Sequence, residues 1–403
     1  MRPVLRTLAV LGALAGFNYV VVLVLPAGAE GIFLFVEALL GMILIHEAGH
    51  YSFAKLFGIK VEEFFVGFGP RLWSFRRGET EYGVKAVPLG GYVRIAGMNP
   101  LQETAPEDRP RTFGAKPPWQ RAVVLVAGSA SHFLLAVVFL AIFFMAVGLP
   151  IFGGPPVVAR VEPTLGGEPS PAALAGIEAG DRILEVDGMD VRNSDQLIRY
   201  TRAHVDEPIE LLVERDEDRL TIEVIPVLST LDGIEAGRLG VLLSEEIVAR
   251  ERSNPFVAVG KGAAATGRLT VDAFKALGDA FSPSGLARIG RQVFGEENRG
   301  LQDPAGIVGA GRLASQAASS GNLGTLLLLL AGLNVFVGIF NILPLPPLDG
   351  GHLAVVAWEK VTGRMVDMRK LLPVTAVVAG LLILLTVSLT YLDLVDPIPD
   401  PFR

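Results

Sequence analysis

The chain has 403 residues, of which 51% are hydrophobic and only 19% are charged, and its formal net charge is −7. This composition is too apolar for an ordinary soluble protein and predicts an integral membrane protein built from several units. Basic residues are spread over loops and form no single patch, so no nucleic acid is expected as a partner. The absence of cysteine excludes disulfides, thiolate zinc sites and a cysteine nucleophile.

The first apolar run, residues 7–25, lies behind Arg2 and Arg6 and is long enough for a membrane-spanning helix. It ends near a small-residue stretch that also resembles a signal-peptidase site. Residues 1–30 are therefore predicted to be either an extra N-terminal transmembrane helix or a signal-like segment. Both alternatives leave Ala29 outside the cytoplasm.

Residues 31–57 form a second predicted crossing, which carries His46, Glu47 and His50 in a His-Glu-x-x-His pattern. On a helix, residues four apart share a face, so the two histidines can hold one metal ion. Glu47 then lies beside that ion, in the place of a general base. Polar groups among Ile, Leu and Phe are costly in a membrane, which favours function over a chance match. Taken alone, the pattern is compatible with any His-Glu-x-x-His metalloprotease, including one that faces the solvent and is only anchored by a nearby helix.

Residues 58–118 are predicted to be a β-hairpin region on the cytoplasmic side. Residues 61–95 alternate apolar and polar side chains around turn glycines, a pattern that favours β-hairpins. The end of this stretch, with Gly91 and Tyr92, is a candidate edge strand to which an extended peptide would add. A purely structural hairpin is an equally good interpretation. The cytoplasmic side follows from the positive-inside rule, because residues 55–116 contain Lys55, Lys60, Arg71, Arg76, Arg77, Lys85, Arg94, Arg109, Arg111 and Lys116.

Residues 119–150 form the third predicted crossing, in which small residues from Gly128 onward permit close helix packing. His132 lies in this crossing, and three roles are open for it: a core residue, a hydrogen-bond donor behind the metal ligands, or a substrate contact.

Residues 155–230 have the composition of a soluble domain, and the run Gly180 to Gly188 looks like part of a PDZ domain. Such domains capture peptides at an exposed strand edge. Residues 231–322 are predicted to be a linker with interfacial helices, for which no function follows from the pattern.

Residues 323–362 form a further crossing that proline interrupts, and residues 369–392 form the last one. Non-helical backbone within the membrane is tolerated only where it is buried in protein or lines a water-filled cavity. The break ends at Asp349, which is thereby brought to the cytoplasmic half of the membrane, where His46 and His50 are expected.

Two histidines and one carboxylate form the ligand set of a catalytic zinc with one open position, and peptide hydrolysis is the reaction that they suit best. Asn341 is expected to bind substrate backbone or an oxyanion, while Pro344 and Pro346 leave carbonyl groups free for the substrate. Asp349 has a second interpretation, as a cap of the following helix. For His352, a supporting or structural role is expected, because a fourth protein ligand would close the site.

The motif at residues 46–50, the later motif at residues 341–350 and the PDZ-like region between them resemble the site-2 protease family of intramembrane zinc metalloproteases. Within it, the chain is similar to the bacterial PDZ-containing branch, and residues 66–92 look most like those of actinobacterial members. The resemblance covers about residues 31–392.

The resemblance implies a polytopic α-helical membrane protein with about five transmembrane helices, a cytoplasmic-side membrane-associated β-hairpin region and an extracytoplasmic α+β PDZ domain. It implies regulated intramembrane proteolysis in stress signalling at the plasma membrane. A site-1-type protease first trims a single-span protein, often an anti-sigma factor, and this enzyme then cuts within the lipid bilayer. The PDZ domain is thought to exclude untrimmed substrate.

Carried onto this sequence, the family's zinc ligands fall on His46, His50 and Asp349, its base on Glu47 and its substrate-binding asparagine on Asn341. The hairpin that ends at Gly91 and Tyr92 matches the one believed to present the substrate. The chain has Gly-Ser-Ala-Ser-His at residues 128–132, where the family usually has Gly-Pro-x-x-Asn. The helix at residues 7–25 is additional to the usual four-helix core.

Two other classes of function compete with the enzyme. A peptide-binding membrane scaffold would not need Glu47. A metal transporter would be expected to carry polar residues along a path, whereas here they cluster at one depth.

Overall fold

The computed structural model describes residues 29–98, 104–231, 234–300, 303–319, 323–364, 366 and 368–398. The predicted segment at residues 7–25 lies outside them. The chain divides into two compact units: one combines the chain up to Ala146 with the chain from Asn254, and the other is Val147–Ser253.

The described residues form ten α-helices and twelve strands. The helices are α1 (Ala29–Leu56), α2 (Pro118–Ile142), α3 (Pro171–Ala175), α4 (Ser194–Ala203), α5 (Pro255–Ala280), α6 (Pro283–Val293), α7 (Ile307–Ser319), α8 (Leu323–Ile342), α9 (Asp349–Thr362) and α10 (Leu372–Val395). The strands are β1 (Val61–Arg77), β2 (Thr80–Ile95), β3 (Leu149–Val161), β4 (Thr164–Leu165), β5 (Glu168–Pro169), β6 (Arg182–Val186), β7 (Met189–Asp190), β8 (Ile209–Arg215), β9 (Asp218–Val224), β10 (Val227–Leu231), β11 (Ile234–Arg238) and β12 (Val241–Glu251).

Three helical stretches among the described residues are long and apolar enough to cross a membrane. They are Pro118–Val147, which extends α2, Leu323–Ile342, which is α8, and Arg369–Val395, which contains α10. Apolar helices of this length, combined with sheet, fit a membrane protein of mixed structure. The crossings expected of α1 and of residues 7–25, and hence the total of five, stay predictions.

Glycines bring α1, α2 and α8 close together, with α2 packed against both of the others. A Cβ atom added at Gly49 of α1 would lie 2.6 Å from the carbonyl oxygen of Ala127 on α2. One added at Gly338 of α8 would lie 3.2 Å from the Cβ of His132. Small residues at these contacts let the backbones approach, which is how helices pack in membranes.

The hairpin of β1 and β2 is folded once more on itself. Residues 63–66 of β1 pair with residues 81–84 of β2 on one side and with residues 91–94 on the other. The extra bend falls at Gly67 and Gly69, both of which have φ values above +80° that favour glycine. Residues 91–95 therefore have a strand neighbour on one side only among the described residues, and on their other edge the backbone of Val93 forms a hydrogen bond with Glu47.

Helix α5 lies in the predicted linker with interfacial helices, and in the structure it packs on α2 and α8. Ala258, Gly262 and Thr266 are its buried residues at four-residue spacing, and they form a stripe of small side chains. A Cβ atom added at Gly262 would lie 2.9 Å from the carbonyl oxygen of Val137. Small residues at this contact let the two helix backbones approach closely. The position of α5 relative to the membrane stays a prediction.

A buried ion pair ties the end of α10 to the start of α7. Arg299 and Asp393 have fully buried side chains and lie 3.1 Å apart. Asp393 also accepts hydrogen bonds from the backbone amides of Gly306 and Gly309. The charge is thus paired and lies at a helix N-terminus, where a carboxylate is stabilised.

The second unit is an α+β fold around an antiparallel sheet with the order β12-β3-β6-β8-β9. Ile209, Leu211 and Val213 alternate into its core along β8, as strand periodicity requires. The unit is wider than the predicted range 155–230, because Leu149 at the start of β3 pairs with Glu251 at the end of β12. Residues 234–251 are therefore strands and not linker; a pairing between segments about a hundred residues apart leaves no local signal.

Asp181 anchors a turn of this second unit. Its carboxylate is buried and accepts hydrogen bonds from the Nε and Nη2 atoms of Arg215, each at 2.7 Å. Burial by itself would raise the pKa of Asp181, but the hydrogen bonds from Arg215 and from the backbone amide of Glu178 outweigh burial, and the pKa is lowered. The ionised pair therefore fixes the start of β6 against the end of β8.

Candidate metal centre

Helix α1 supplies three of the predicted site residues from two consecutive turns. His46 and His50 are buried, with 8% and 7% of their surface exposed, and the two Nε2 atoms lie 3.1 Å apart. Glu47 follows His46 and is half-buried. The four-residue spacing on one helix is what brings the two imidazoles together.

The start of α9, directly after the break that follows α8, supplies the third candidate ligand. The Oδ2 atom of Asp349 lies 3.1 Å from Nε2 of His50 and 3.3 Å from Nε2 of His46. Two glycines make this position possible. A Cβ atom at Gly350 would lie 2.1 Å from the carbonyl oxygen of Ile342, and one at Gly351 would lie 2.5 Å from the nitrogen of Pro346.

The alternative role of Asp349 as a helix cap has no support in this geometry. The N-cap residue of α9 is Leu348, and no side-chain hydrogen bond caps this helix. The carboxylate of Asp349 instead faces the two imidazoles.

The three groups fit a zinc ion. Bonds of about 2.0–2.1 Å in a tetrahedral site place neighbouring ligand atoms roughly 3.3 Å apart. The separations of 3.1, 3.1 and 3.3 Å agree with this value. Within the described part of the chain, one group of three or more His, Asp or Glu side chains has its ligand atoms close enough to share a metal ion, and it consists of His46, His50 and Asp349. Three protein ligands leave one position open, which is the arrangement of a catalytic site.

Helix α2 covers the back of the two imidazoles. Nδ1 of His50 donates a hydrogen bond of 2.8 Å to the carbonyl oxygen of Val124, so its Nε2 is left free for a metal. Nδ1 of His46 is buried and has no hydrogen-bond partner among the described residues. A Cβ atom added at Gly128 would lie 2.3 Å from Nε2 of His50 and 2.7 Å from Cε1 of His46.

Replacing Gly128 by Ala is expected to lower zinc affinity more than about tenfold, because the new methyl group occupies space that the two ligand rings need. The measurement is a zinc titration of the purified protein with a competing chelator. Gly332→Ala is the matched control, since a Cβ atom there meets nothing within 4 Å in another membrane helix. Equal zinc affinity in the two variants would contradict this account of Gly128.

The edge of β2 that has no strand neighbour among the described residues lies beside Glu47. A Cβ atom added at Gly91 would lie 3.6 Å from Cγ of Glu47 and 3.6 Å from Ile43 of the same helix. Tyr92 donates a hydrogen bond to Glu63 across the sheet, and its ring stacks on Phe65. The main-chain groups of this edge thus come close to the candidate base, and the backbone of Val93 forms a hydrogen bond with it.

A salt-bridge cluster fastens the hairpin to the end of α1. Glu79, in the hairpin turn, accepts hydrogen bonds from Arg111 and from Lys55 in the last turn of α1. The hydrogen bonds from Arg111, followed by those from Lys55, lower the pKa of Glu79 to about 2 against the opposing effect of burial. Glu79 is therefore ionised at neutral pH.

A cavity of about 460 Å³ opens along this edge of β2. Tyr92, Pro346 and His352 line it, together with Leu372 and Thr375 at the start of α10. The edge strand and the break between α8 and α9, which ends next to Asp349, therefore face a common space.

The other predicted substrate-binding residues lie at the break itself. Asn341 is half-buried in the last turn of α8, and Pro344 is exposed in the turn that follows. Neither of these two residues lines the 460 Å³ cavity.

Sequence reasoning missed part of the surroundings of the metal centre. It did not single out Val124 or Asn334, and it noted Gly128 for helix packing and as part of a motif that departs from the family's, without linking it to the metal ligands. The spacing of Val124, Gly128 and His132 at four-residue intervals on one helix was the available signal. That signal becomes meaningful only when the face of α2 that meets α1 is known.

Residues 34–385 match the family model described as Peptidase family M50. This range includes all three candidate ligands and Glu47.

Several relatives from mycobacteria carry the name zinc metalloprotease Rip1. The protein from Mycobacterium tuberculosis is 37% identical over 406 residues, which cover 91% of this chain and 98% of the relative. The protein from Mycolicibacterium smegmatis is 35% identical over 405 residues, with the same coverage. A solved PDZ domain of the SdrC-like protein from Listeria innocua covers 22% of this chain and 92% of its own length, at 22% identity and a TM-score of 0.19. That score is too low to support a conclusion about the second unit.

Proposed function

This chain belongs to peptidase family M50, and we therefore propose that it hydrolyses a peptide bond inside the membrane-spanning segment of single-span membrane proteins. The chain is a zinc metalloprotease of the intramembrane type and a multi-pass membrane protein. The observation that carries the proposal is the meeting of His46, His50 and Asp349 next to Glu47 in a unit made of apolar helices. A scaffold or a transporter would not require this combination.

We assign the metal to His46, His50 and Asp349, whose facing atoms have the separations that zinc requires. A zinc ion held by these residues would supply Lewis acidity, which would polarise the scissile carbonyl group and make a water molecule more acidic. Glu47 accepts the proton of the attacking water and donates it to the leaving amine. Its place next to a ligand histidine and beside the edge of β2 at Gly91 supports this role.

The substrate adds as an extended strand to the edge of residues 91–95 that has no strand neighbour among the described residues. Main-chain hydrogen bonds at an edge bind a peptide without demanding a particular sequence. The short distance between Gly91 and Glu47 brings such a peptide to the candidate base. A membrane-spanning helix must unwind to bind in this way, because the edge accepts only extended backbone.

Residues of the interrupted segment bind the other side of the substrate. The amide of Asn341 binds the substrate backbone or the oxyanion, and the turn at Pro344 and Pro346 leaves carbonyl groups without helical partners. The cavity that Pro346 shares with Tyr92 supports the part assigned to Pro346.

The enzyme acts as the second step of a two-step pathway in the plasma membrane. The basic residues between α1 and α2 support a cytoplasmic hairpin and an active site in the cytoplasmic half of the membrane. The unit Val147–Ser253 then lies outside the cytoplasm, where as a PDZ domain it excludes substrates that an upstream site-1-type protease has not trimmed. Anti-sigma factors are the proposed substrate class.

Cells that produce only the Glu47→Gln enzyme are expected to accumulate trimmed single-span fragments, because the second cut is blocked while the first continues. Comparison of membrane proteomes with those of wild-type cells measures this. Accumulation of untrimmed proteins alone, or of no membrane protein, would contradict the two-step pathway.

A further inference from the structure

His132 on α2 is buried deep beside the metal centre, with 1% of its surface exposed. Its ring centre lies 5.0 Å from that of His46, and the two ring planes are inclined by 37°. A polar ring in this place needs partners for both of its nitrogen atoms.

Asn334 of α8 is the hydrogen-bond partner of one of these nitrogens and determines whether it carries a hydrogen. The Nδ2 atom of Asn334 donates to the carbonyl oxygen of Leu330 at 2.8 Å and points to the sulfur of Met42 at 2.7 Å. Its Oδ1 atom is thereby directed at Nδ1 of His132, 3.1 Å away. Since Oδ1 only accepts, Nδ1 of His132 carries the hydrogen, and in the neutral ring Nε2 keeps its lone pair.

His46 lacks an acceptor among the described residues for the hydrogen on its Nδ1 atom. Its Nε2 faces Asp349 and His50, so in the neutral ring the hydrogen is on Nδ1. That Nδ1 is buried without a partner among the residues that the structure describes. Metal-binding histidines almost always donate this hydrogen bond, which fixes the orientation of the ring.

For the other ligand histidine, His50, helix α2 provides the hydrogen-bond acceptor. His50 donates its Nδ1 hydrogen to Val124, and the same face of α2 presents His132 to His46 two turns further on. No hydrogen bond joins the rings of His132 and His46 in this structure, but their 5.0 Å approach leaves only a small ring movement between them. We propose that His132 is a positioning residue for the metal centre: when the metal is held, its Nε2 accepts the Nδ1 hydrogen of His46, and Asn334 keeps His132 in the tautomer that can do so. The proposal rests on the proposed ligand role of His46.

Three variants at position 132 separate this role from simple packing. Phe fills the ring volume but accepts no hydrogen bond, Asn ends too early to reach His46, and Gln places an amide oxygen near the position of Nε2. Zinc affinity, measured by chelator competition, is expected to fall about 10- to 100-fold in His132→Phe and His132→Asn, while His132→Gln stays close to wild type.

Melting temperatures of the zinc-free proteins report folding separately. Wild-type zinc affinity in a folded His132→Phe protein would overturn the proposal, and so would a folded His132→Gln protein as weak as His132→Phe. If the position-132 variants do not fold, Asn334→Leu is used; it leaves the imidazole in place but frees its tautomer, and unchanged zinc affinity in this variant would overturn the proposal.

Asp349→Ala is measured in the same series. Retained zinc affinity there would contradict the ligand set itself, and hence the proposed function. Loss of zinc in Asp349→Ala with wild-type affinity in His132→Phe would contradict only the role of His132.

Discussion

The Glu47→Gln enzyme is expected to lose cleavage of a trimmed single-span substrate by at least about 10²- to 10⁴-fold, the usual contribution of a general base. The amide has the size of the carboxylate but cannot accept the proton of the attacking water. Zinc content is expected to stay at the wild-type value, because the proposed ligands are His46, His50 and Asp349. The measurements are product formation by mass spectrometry and metal content by elemental analysis of the same preparation.

Glu37→Gln is the matched control, since it makes the same substitution on α1, about 15 Å along the helix axis. It should cleave at the wild-type rate. Retained cleavage in the Glu47→Gln enzyme, or loss of its zinc, would show that Glu47 is not the base.

The Asp349→Ala enzyme is expected to be purified with little zinc and no detectable cleavage. Its carboxylate is the one acidic ligand of the proposed set, so its removal leaves two neutral imidazoles. We expect zinc affinity to fall by more than about 100-fold, beyond the loss that supporting residues cause. Chelator competition measures the affinity.

Asp272→Ala serves as the control for this change, because Asp272 is exposed on α5. Zinc in stoichiometric amount in the Asp349→Ala enzyme would remove Asp349 from the ligand set. Its place in the first turn of α9 would then act only through the helix dipole.

The predictions about the metal ligands were based on local patterns in the sequence. Two histidines four apart on one helix face the same way in any structure, and a proline-rich break must end its helix. The resemblance to site-2 proteases and the counting of crossings placed Asp349 near the histidines, and the structure brings these residues together. The role of each residue stays a prediction until variants are measured.

Features that depend on long-range packing were not predictable in the same way. The pairing of β3 with β12 made the second unit wider than expected, because β12 falls in the predicted linker and the first residues of β3 lie before the predicted start of the domain. The support of His50 by Val124 involves a backbone carbonyl, which has no sequence signature at all. The stripe of small residues on α5 became informative only once its packing against α2 was known.

The most direct test of the central claim is to identify the bond that the purified zinc enzyme cuts in a trimmed single-span substrate, by mass spectrometry of both products. Cleavage within the apolar membrane-spanning segment by the wild-type enzyme, and none by the Glu47→Gln enzyme, is the predicted result. Cleavage only outside that segment, or equal cleavage by both enzymes, would contradict hydrolysis at membrane depth by this site.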